Sequence, residues 1–202
     1  MSSFLGFFKF LTQEIAIDLG TANTLIIHND QVVVDEPSIV AIDRSTNKIV
    51  AVGKKAMMMH EKTHENLKTI RPLKDGVIAD FNAAEGMLHE MIKLVYPKKP
   101  MFPPSWRMVI CIPSSITEVE KRAVRDSAEQ AGAKEVYMIH EPMAAALGIG
   151  IDVEEPTGNM IIDIGGGTTG ISGRALAGIV GDQSIRIAGD EFTSDIMGTM
   201  RR

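Results

Sequence analysis

Two stretches of this chain put a carboxylate, a glycine and a hydroxyl at matching positions. "EIAIDLGTANT" (14–24) and "NMIIDIGGGTT" (159–169) align without a gap, so that Ile17, Asp18, Gly20 and Thr24 correspond to Ile162, Asp163, Gly165 and Thr169. Each copy is an apolar run, an Asp, one more apolar residue, a Gly, small residues and a Thr. Glycine and small side chains let backbone N–H groups approach an anion closely, and threonine hydroxyls donate to phosphate oxygens. The aspartates would repel phosphate unless a cation stood between them. A divalent ion such as Mg²⁺ joins carboxylate to phosphate, often through water. Two such loops from two lobes would grip one polyphosphate from opposite sides, and their recurrence is a stronger signal than either copy alone. The G-x-x-x-x-G-K-[ST] pattern of the P-loop is absent from the chain.

The surrounding elements must hold those loops. "QVVVDEPSIVAIDRSTNKIVAVG" (31–53) predicts short strands with turns at Asp35–Pro37 and Ser45–Asn47. "KKAMMMHEKTHENLKTI" predicts a helix, and "GVIADF" (76–81) a strand. A second helix follows, with Asn82 as N-cap, Glu85 three residues on, and a core stripe of Ala84, Met87, Leu88, Met91, Leu94 and Val95. "PKKPMFPPS" (97–105) is a proline-rich connection, and "RMVICIP" reads as a buried strand. Thr117 and Glu120 form a capping box for a helix that ends at Gly132. "EVYMIHEP" is a strand that runs into the small-residue helix "MAAALGIG", and "NMIIDIGGG" is the next strand. Strands alternating with helices predict an α/β fold.

Three other features could carry chemistry. "HEKTH" (60–64) matches H-E-x-x-H, but no third zinc ligand is marked out and the segment is polar on several sides. Gly165, Gly167 and Gly170 spell G-x-G-x-x-G, the dinucleotide fingerprint, which has to open a helix. "GISGRALAGIVGDQ" follows instead, with no apolar stripe at helical spacing. Cys111 is the lone cysteine and lies in an apolar run, so it reads as a buried strand residue. With no second cysteine to pair with, a reducing compartment fits.

Composition narrows the partners. At 45% hydrophobic and 23% charged, the 202 residues suit one large or two small globular domains. A net charge of −5 lacks the cationic surplus that gives general affinity for nucleic acid. No apolar run reaches the roughly 18–20 residues of a membrane span. The opening "MSSFLGFFKFLTQE" holds four of the seven phenylalanines, with Phe4, Phe8 and Leu11 on one helical face. It predicts a short amphipathic helix over 1–13 lying on a lipid surface. Each copy would hold weakly, and many linked copies strongly.

At these residues the chain resembles a known family. "DLGTANT", "DIGGGTT" and "EPMAAALG" are similar to the phosphate-one, phosphate-two and connecting motifs of the actin superfamily. "IDLGTANTLI", "EPSIVAID", "RPLKDGVIADF", "HEPMAAALGIG" and "RIAGDEFTSDI" narrow the resemblance to the MreB family of bacterial actins. It runs over essentially the whole chain. It implies an actin-like (ribonuclease H-like) fold of two lobes: 14–150, with a small inserted subdomain near 31–75, and the start of a second lobe at 151–202. Family members bind ATP with Mg²⁺, hydrolyse it weakly, and form membrane-bound filaments on the cytoplasmic face of the inner membrane. There they organise cell-wall synthesis in rod-shaped cells.

Carried over by position, the resemblance implies that Asp18 and Asp163 face the metal through water. Gly20, Thr21, Ala22 and Asn23 would wrap one side of the phosphates, and Gly165, Gly166, Gly167, Thr168 and Thr169 the other. Glu141 would position or polarise the attacking water, with Asp163 serving the reaction through the metal. Gly189, Asp190 and Glu191 would lie near the nucleotide. Two departures stand out. Gly170, Gly173 and Arg174 in "GISGRALAG" predict a distorted hairpin after the second loop. The family's later subdomain and its third glycine-rich, adenosine-holding motif have no counterpart before Arg202, which predicts a truncated second lobe with impaired ATP affinity.

Overall fold

β1 (Thr12–Leu19) alternates strictly, with Ile15, Ile17 and Leu19 buried and Glu14, Ala16 and Asp18 on the opposite face. That alternation follows from the two-residue period of a strand. It lets one strand build the core with one face and carry Asp18 on the other. In the computed structural model, residues 12–60, 66–74, 76–95, 105–114, 116–175 and 178–201 are described. Residues 1–11 of the phenylalanine-rich start, 61–65, which take in all but His60 of the H-E-x-x-H pattern, and 96–104, which take in all but Ser105 of the proline-rich connection, lie outside them.

β1 sits at the centre of a five-stranded sheet of order β10-β9-β1-β2-β3. β2 (Asn23–His28) and β3 (Gln31–Pro37) are antiparallel, whereas β9 (Ser105–Ile112) and β10 (Ala133–His140) run parallel to β1. Helices α2 (Phe81–Val95) and α3 (Glu118–Gln130) supply Met87, Leu88, Met91, Ile92 and Val124 to the core, against Ile17, Ile26, Met108 and Ile110. A smaller sheet of β5 (Ile49–Val52), β4 (Val40–Asp43) and β6 (Leu67–Ile70) packs with α1 (Gly53–His60). β7 (Leu73–Lys74) and β8 (Val77–Ile78) form a short hairpin. A separate three-stranded sheet is formed by β11 (Asn159–Ile164), β12 (Thr169–Ala175) and β13 (Gly178–Ile185), followed by α5 (Gly189–Met200). Helix α4 (Glu141–Gly148) packs on β9 and β10 of the five-stranded sheet and on β11 and β12 of the three-stranded one.

Several local expectations change. The turn expected at Asp35–Pro37 is strand, and the reversal lies at Asn29–Asp30, whose φ values of 51° and 59° suit a two-residue hairpin turn. Pro37 is tolerated because β3 is an edge strand. The segment 67–70, expected to continue a helix, is a strand antiparallel to β4, where β-branched Thr69 and Ile70 suit the ladder. Asp80, not Asn82, caps α2: its carboxylate accepts the Ala83 N–H at 3.0 Å. Ile92 joins the core stripe, while Leu94 stays 47% exposed. The Thr117–Glu120 capping box forms as expected, and Gly132 follows α3 at φ +107°. β12 pairs with β11 at six positions, and the expected distortion is confined to a register shift at Gly173/Arg174.

Candidate functional site

The two repeats build the same hairpin. Leu19 pairs with Thr24 and Asp18 with Leu25; Ile164 pairs with Thr169 and Asp163 with Gly170. In each tip the glycine N–H donates to the carbonyl three residues on, Gly20 to Asn23 at 3.1 Å and Gly165 to Thr168 at 2.9 Å. Glycine is needed at position 20, because a β-carbon there would sit 2.6 Å from the Asn23 carbonyl oxygen, and a side chain fits more easily at 165, where a β-carbon would sit 3.3 Å from that of Thr168.

The loops face one another across a cleft of about 650 Å³. Its walls include Asp18, Gly20, Thr21, Ala22 and Asn23 from the first loop, Asp163, Gly165, Gly166, Gly167 and Thr168 from the second, and Glu141 from the start of α4. Eleven expected site residues therefore converge on one cavity, although 145 positions separate the first aspartate from the second. The remaining four, Thr169, Gly189, Asp190 and Glu191, do not line it. Thr169 is buried and gives its hydroxyl to the Ile187 carbonyl at 2.7 Å, so it braces the loop from outside the cleft. Gly189 donates to the Gly165 carbonyl at 3.1 Å and Asp190 to that of Gly166 at 2.8 Å. Glu191 is exposed on the first turn of α5.

Two residues not singled out in the sequence, Ser38 and Gly76, support the first loop, and Cys111 stands where it was not expected. Ser38 donates its N–H to Ala22 at 2.8 Å and its hydroxyl to the Gly20 carbonyl at 2.6 Å, clamping the first loop from below. Gly76 donates its N–H to the Thr21 hydroxyl at 3.1 Å. Cys111, expected in the core, lines the cleft instead, because it pairs with Asp18 across β9 and β1 and shares its face. Burial, then the charges of Asp18, Glu141 and Asp163, push its thiol up to about 12, so it is a poor nucleophile at neutral pH.

The electrostatics are those of uncompensated carboxylates. Asp18 is open to the cleft yet walled in by protein, and this burial, followed by the charge of Asp163, raises its pKa. Burial, then Asp18 and Asp163, push Glu141 up to about 7. None of the three has an ion-pair partner among the described residues. Also among the described residues, no three His, Cys, Asp or Glu side chains stand close enough to hold a metal ion by themselves. Asp18 on one wall and Asp163 on the other are hard oxygen donors of the kind that would suit a divalent cation, directly or through water. No helix among the described residues is long and apolar enough to cross a membrane.

Comparison with known proteins agrees with this geometry. The family model described as MreB/Mbl protein matches residues 12–202. "Cell shape-determining protein MreB" of Escherichia coli (strain K12) is 48% identical over 207 residues, which takes in 100% of this chain and 58% of the relative. "Cell shape-determining protein Mbl" of Bacillus subtilis (strain 168) is 46% identical over 191 residues, covering 94% and 57%. The chain thus spans a little under three fifths of the length of these curated relatives. Among solved structures, MreB5 of Spiroplasma citri bound to ADP superposes with a TM-score of 0.84 at 39% identity, covering 94% of this chain and 56% of that one. The MamK double helical filament superposes at 0.74 with 22% identity, a likeness of fold. The fold is actin-like.

Proposed function

Because this chain belongs to the MreB/Mbl family, we propose that its cleft binds ATP with Mg²⁺ and that the whole protein assembles into membrane-associated filaments that organise cell-wall synthesis and cell shape. One observation carries the nucleotide half: two acid-and-glycine hairpins with matching strand pairing face each other across one cleft, with no ion-pair partner for their carboxylates among the described residues. Backbone N–H groups of Thr21–Asn23 and Gly166–Thr168 cradle the phosphates, and Asp18 and Asp163 hold the cation. The ion supplies neutralisation of the charge that builds up during phosphoryl transfer. Glu141, near neutrality in its titration, orients the attacking water and takes its proton. The nucleotide-bound Spiroplasma citri relatives support this reading, since one holds ADP and the other AMPPNP.

Self-association and attachment to lipid form the second half. The phenylalanine-rich start supports contact with a lipid surface, and the cell-shape names of the relatives support a cytoplasmic protein working with the wall-elongation machinery. Co-sedimentation with liposomes, with and without Mg²⁺-ATP, tests both halves. Nucleotide-dependent pelleting that disappears on deleting residues 1–11 is expected. Pelleting indifferent to both nucleotide and lipid would reject the filament reading. Tight binding of a fluorescent ATP analogue that ignores Mg²⁺ would reject the cation role of Asp18 and Asp163, and no binding at all would reject the phosphate cradle.

A further inference from the structure

Arg71 and Asp190 lie 119 positions apart in the chain, yet Arg71 Nη1 reaches both carboxylate oxygens of Asp190, at 3.2 and 3.3 Å. Arg71 belongs to the first lobe, in the connection between β6 and β7. Its base is fixed: the next residue, Pro72, is fully buried, and its carbonyl accepts the N–H groups of Ala79 and Asp80 at 2.8 and 3.1 Å. Asp190 belongs to the second lobe and is just as firmly held. It and Gly189 donate their N–H groups to Gly166 and Gly165, the tip of the second phosphate loop. The ion pair therefore runs from a rigid ledge on one lobe to the back of the glycine loop on the other.

We infer that Arg71 is a positioning residue: through Asp190 it clasps the two lobes and sets how far the second glycine loop stands from the first. The effect on nucleotide release rests on the reading of the cleft as a phosphate site; the effect on lobe separation does not. Two further close approaches, Gly166 against Ala22 of the first loop and Thr168 against Gly76 between β7 and β8, are steric contacts that limit closing. The Arg71–Asp190 pair is attractive and resists opening. Its side chains are 46% and 48% exposed, so it is weak and open to salt. A weak, screenable attraction suits a joint that must open to exchange its contents.

The test measures lobe separation in the full chain, by electron–electron spin distances between labels at Val119→Cys in α3 and Met160→Cys in β11, both highly exposed in the native chain. A narrow distribution is expected at low salt. Arg71→Gln or 0.5 M KCl should broaden it toward longer distances, and the exchanged pair, Arg71→Asp with Asp190→Arg, should narrow it again. Salt acts on the native pair, so this arm needs no variant to fold. The same set is then followed for release of a fluorescent ATP analogue, where Arg71→Gln should speed release two- to fivefold, the range of a surface ion pair. An unchanged distribution in Arg71→Gln and at high salt overturns the clasp. So does a broadening that the exchanged pair fails to reverse. If the distances respond as expected and the native chain binds no nucleotide, the clasp stands and the phosphate reading falls.

Discussion

Gly166 stands directly against Ala22: a β-carbon built on Gly166 would lie 2.6 Å from the Ala22 β-carbon and 3.2 Å from its backbone nitrogen. The two glycine-bearing loops can meet as closely as they do only because position 166 carries no side chain. This relationship links loops that are distant in sequence, and it sets the first expectation.

Gly166→Ala should hold the loops apart. Overpacking typically costs about 1–3 kcal/mol, so affinity for Mg²⁺-nucleotide should fall about tenfold or more. Adding Ala22→Gly removes the opposing methyl group and should return most of the loss. Equilibrium titration with a fluorescent ATP analogue reads both. Undiminished affinity in the single variant would show that the loops need not close on the phosphates.

The Asp18→Asn, Asp163→Asn double variant should be more heat-stable than the native chain in EDTA, because burial and the charge of Asp163 disfavour ionised Asp18. It should also lose the rise in Tm that Mg²⁺ with ADP gives the native protein, since a ligand bound only by the folded state stabilises it by mass action. Paired thermal melts check this. A metal-dependent rise that survives the double change would place the cation elsewhere.

Glu141 makes stability depend on pH. Its carboxyl is raised to about 7 in the folded protein from an ordinary value of 4.5, so the folded state binds a proton more tightly than the unfolded one. The native chain should therefore lose stability as pH rises from about 4.5 to about 7, by about 2–3 kcal/mol once water in the cleft is allowed for. Glu141→Gln should flatten that slope and raise the metal-free Tm at pH 8. If native and variant chains show the same pH profile, Glu141 is not held near neutrality.

Ser172 in β12 and Ser127 in α3 are buried, and neither hydroxyl has a hydrogen-bond partner among the described residues. Ser172→Ala and Ser127→Ala should be neutral or stabilising by up to about 1 kcal/mol, because an unpaired polar atom leaves the interior. Thr24→Val should do the opposite and cost about 0.5–1.5 kcal/mol, since it removes the 2.9 Å hydrogen bond between the Thr24 and Ser38 hydroxyls while Ser38 keeps its bond to the Gly20 carbonyl. Urea unfolding of the three variants compares them directly.

Local rules carried much of the fold and the heart of the site. A capping box depends on a three-residue spacing, so Thr117 and Glu120 could be placed from the sequence. The two aspartate–glycine tips depend on a strand running into a turn, and their repetition identified both. The glycines of "GISGRALAGIVG" were correctly read as no helix, since two strands follow the second loop. Where two local options competed, the sequence was a poorer guide. Asp80 and Asn82 are both plausible caps, and only the path of the chain into α2 put the Asp80 carboxylate over the free N–H groups. The strand at 67–70 exists because β4 offered an unpaired edge, which a sequence window cannot see.

What the sequence by itself determined was the chemistry of the loops: a carboxylate, backbone N–H groups and hydroxyls at spacings fixed by strand and turn geometry. Only the tertiary structure decided how those groups act on one another. Turning Cys111 to the face of Asp18, raising Glu141 toward neutrality, seating Gly166 on Ala22 and bringing Arg71 to Asp190 all join residues far apart in the chain. Coulomb energy and steric contact depend on distance through space, and spacing along the chain does not set that distance.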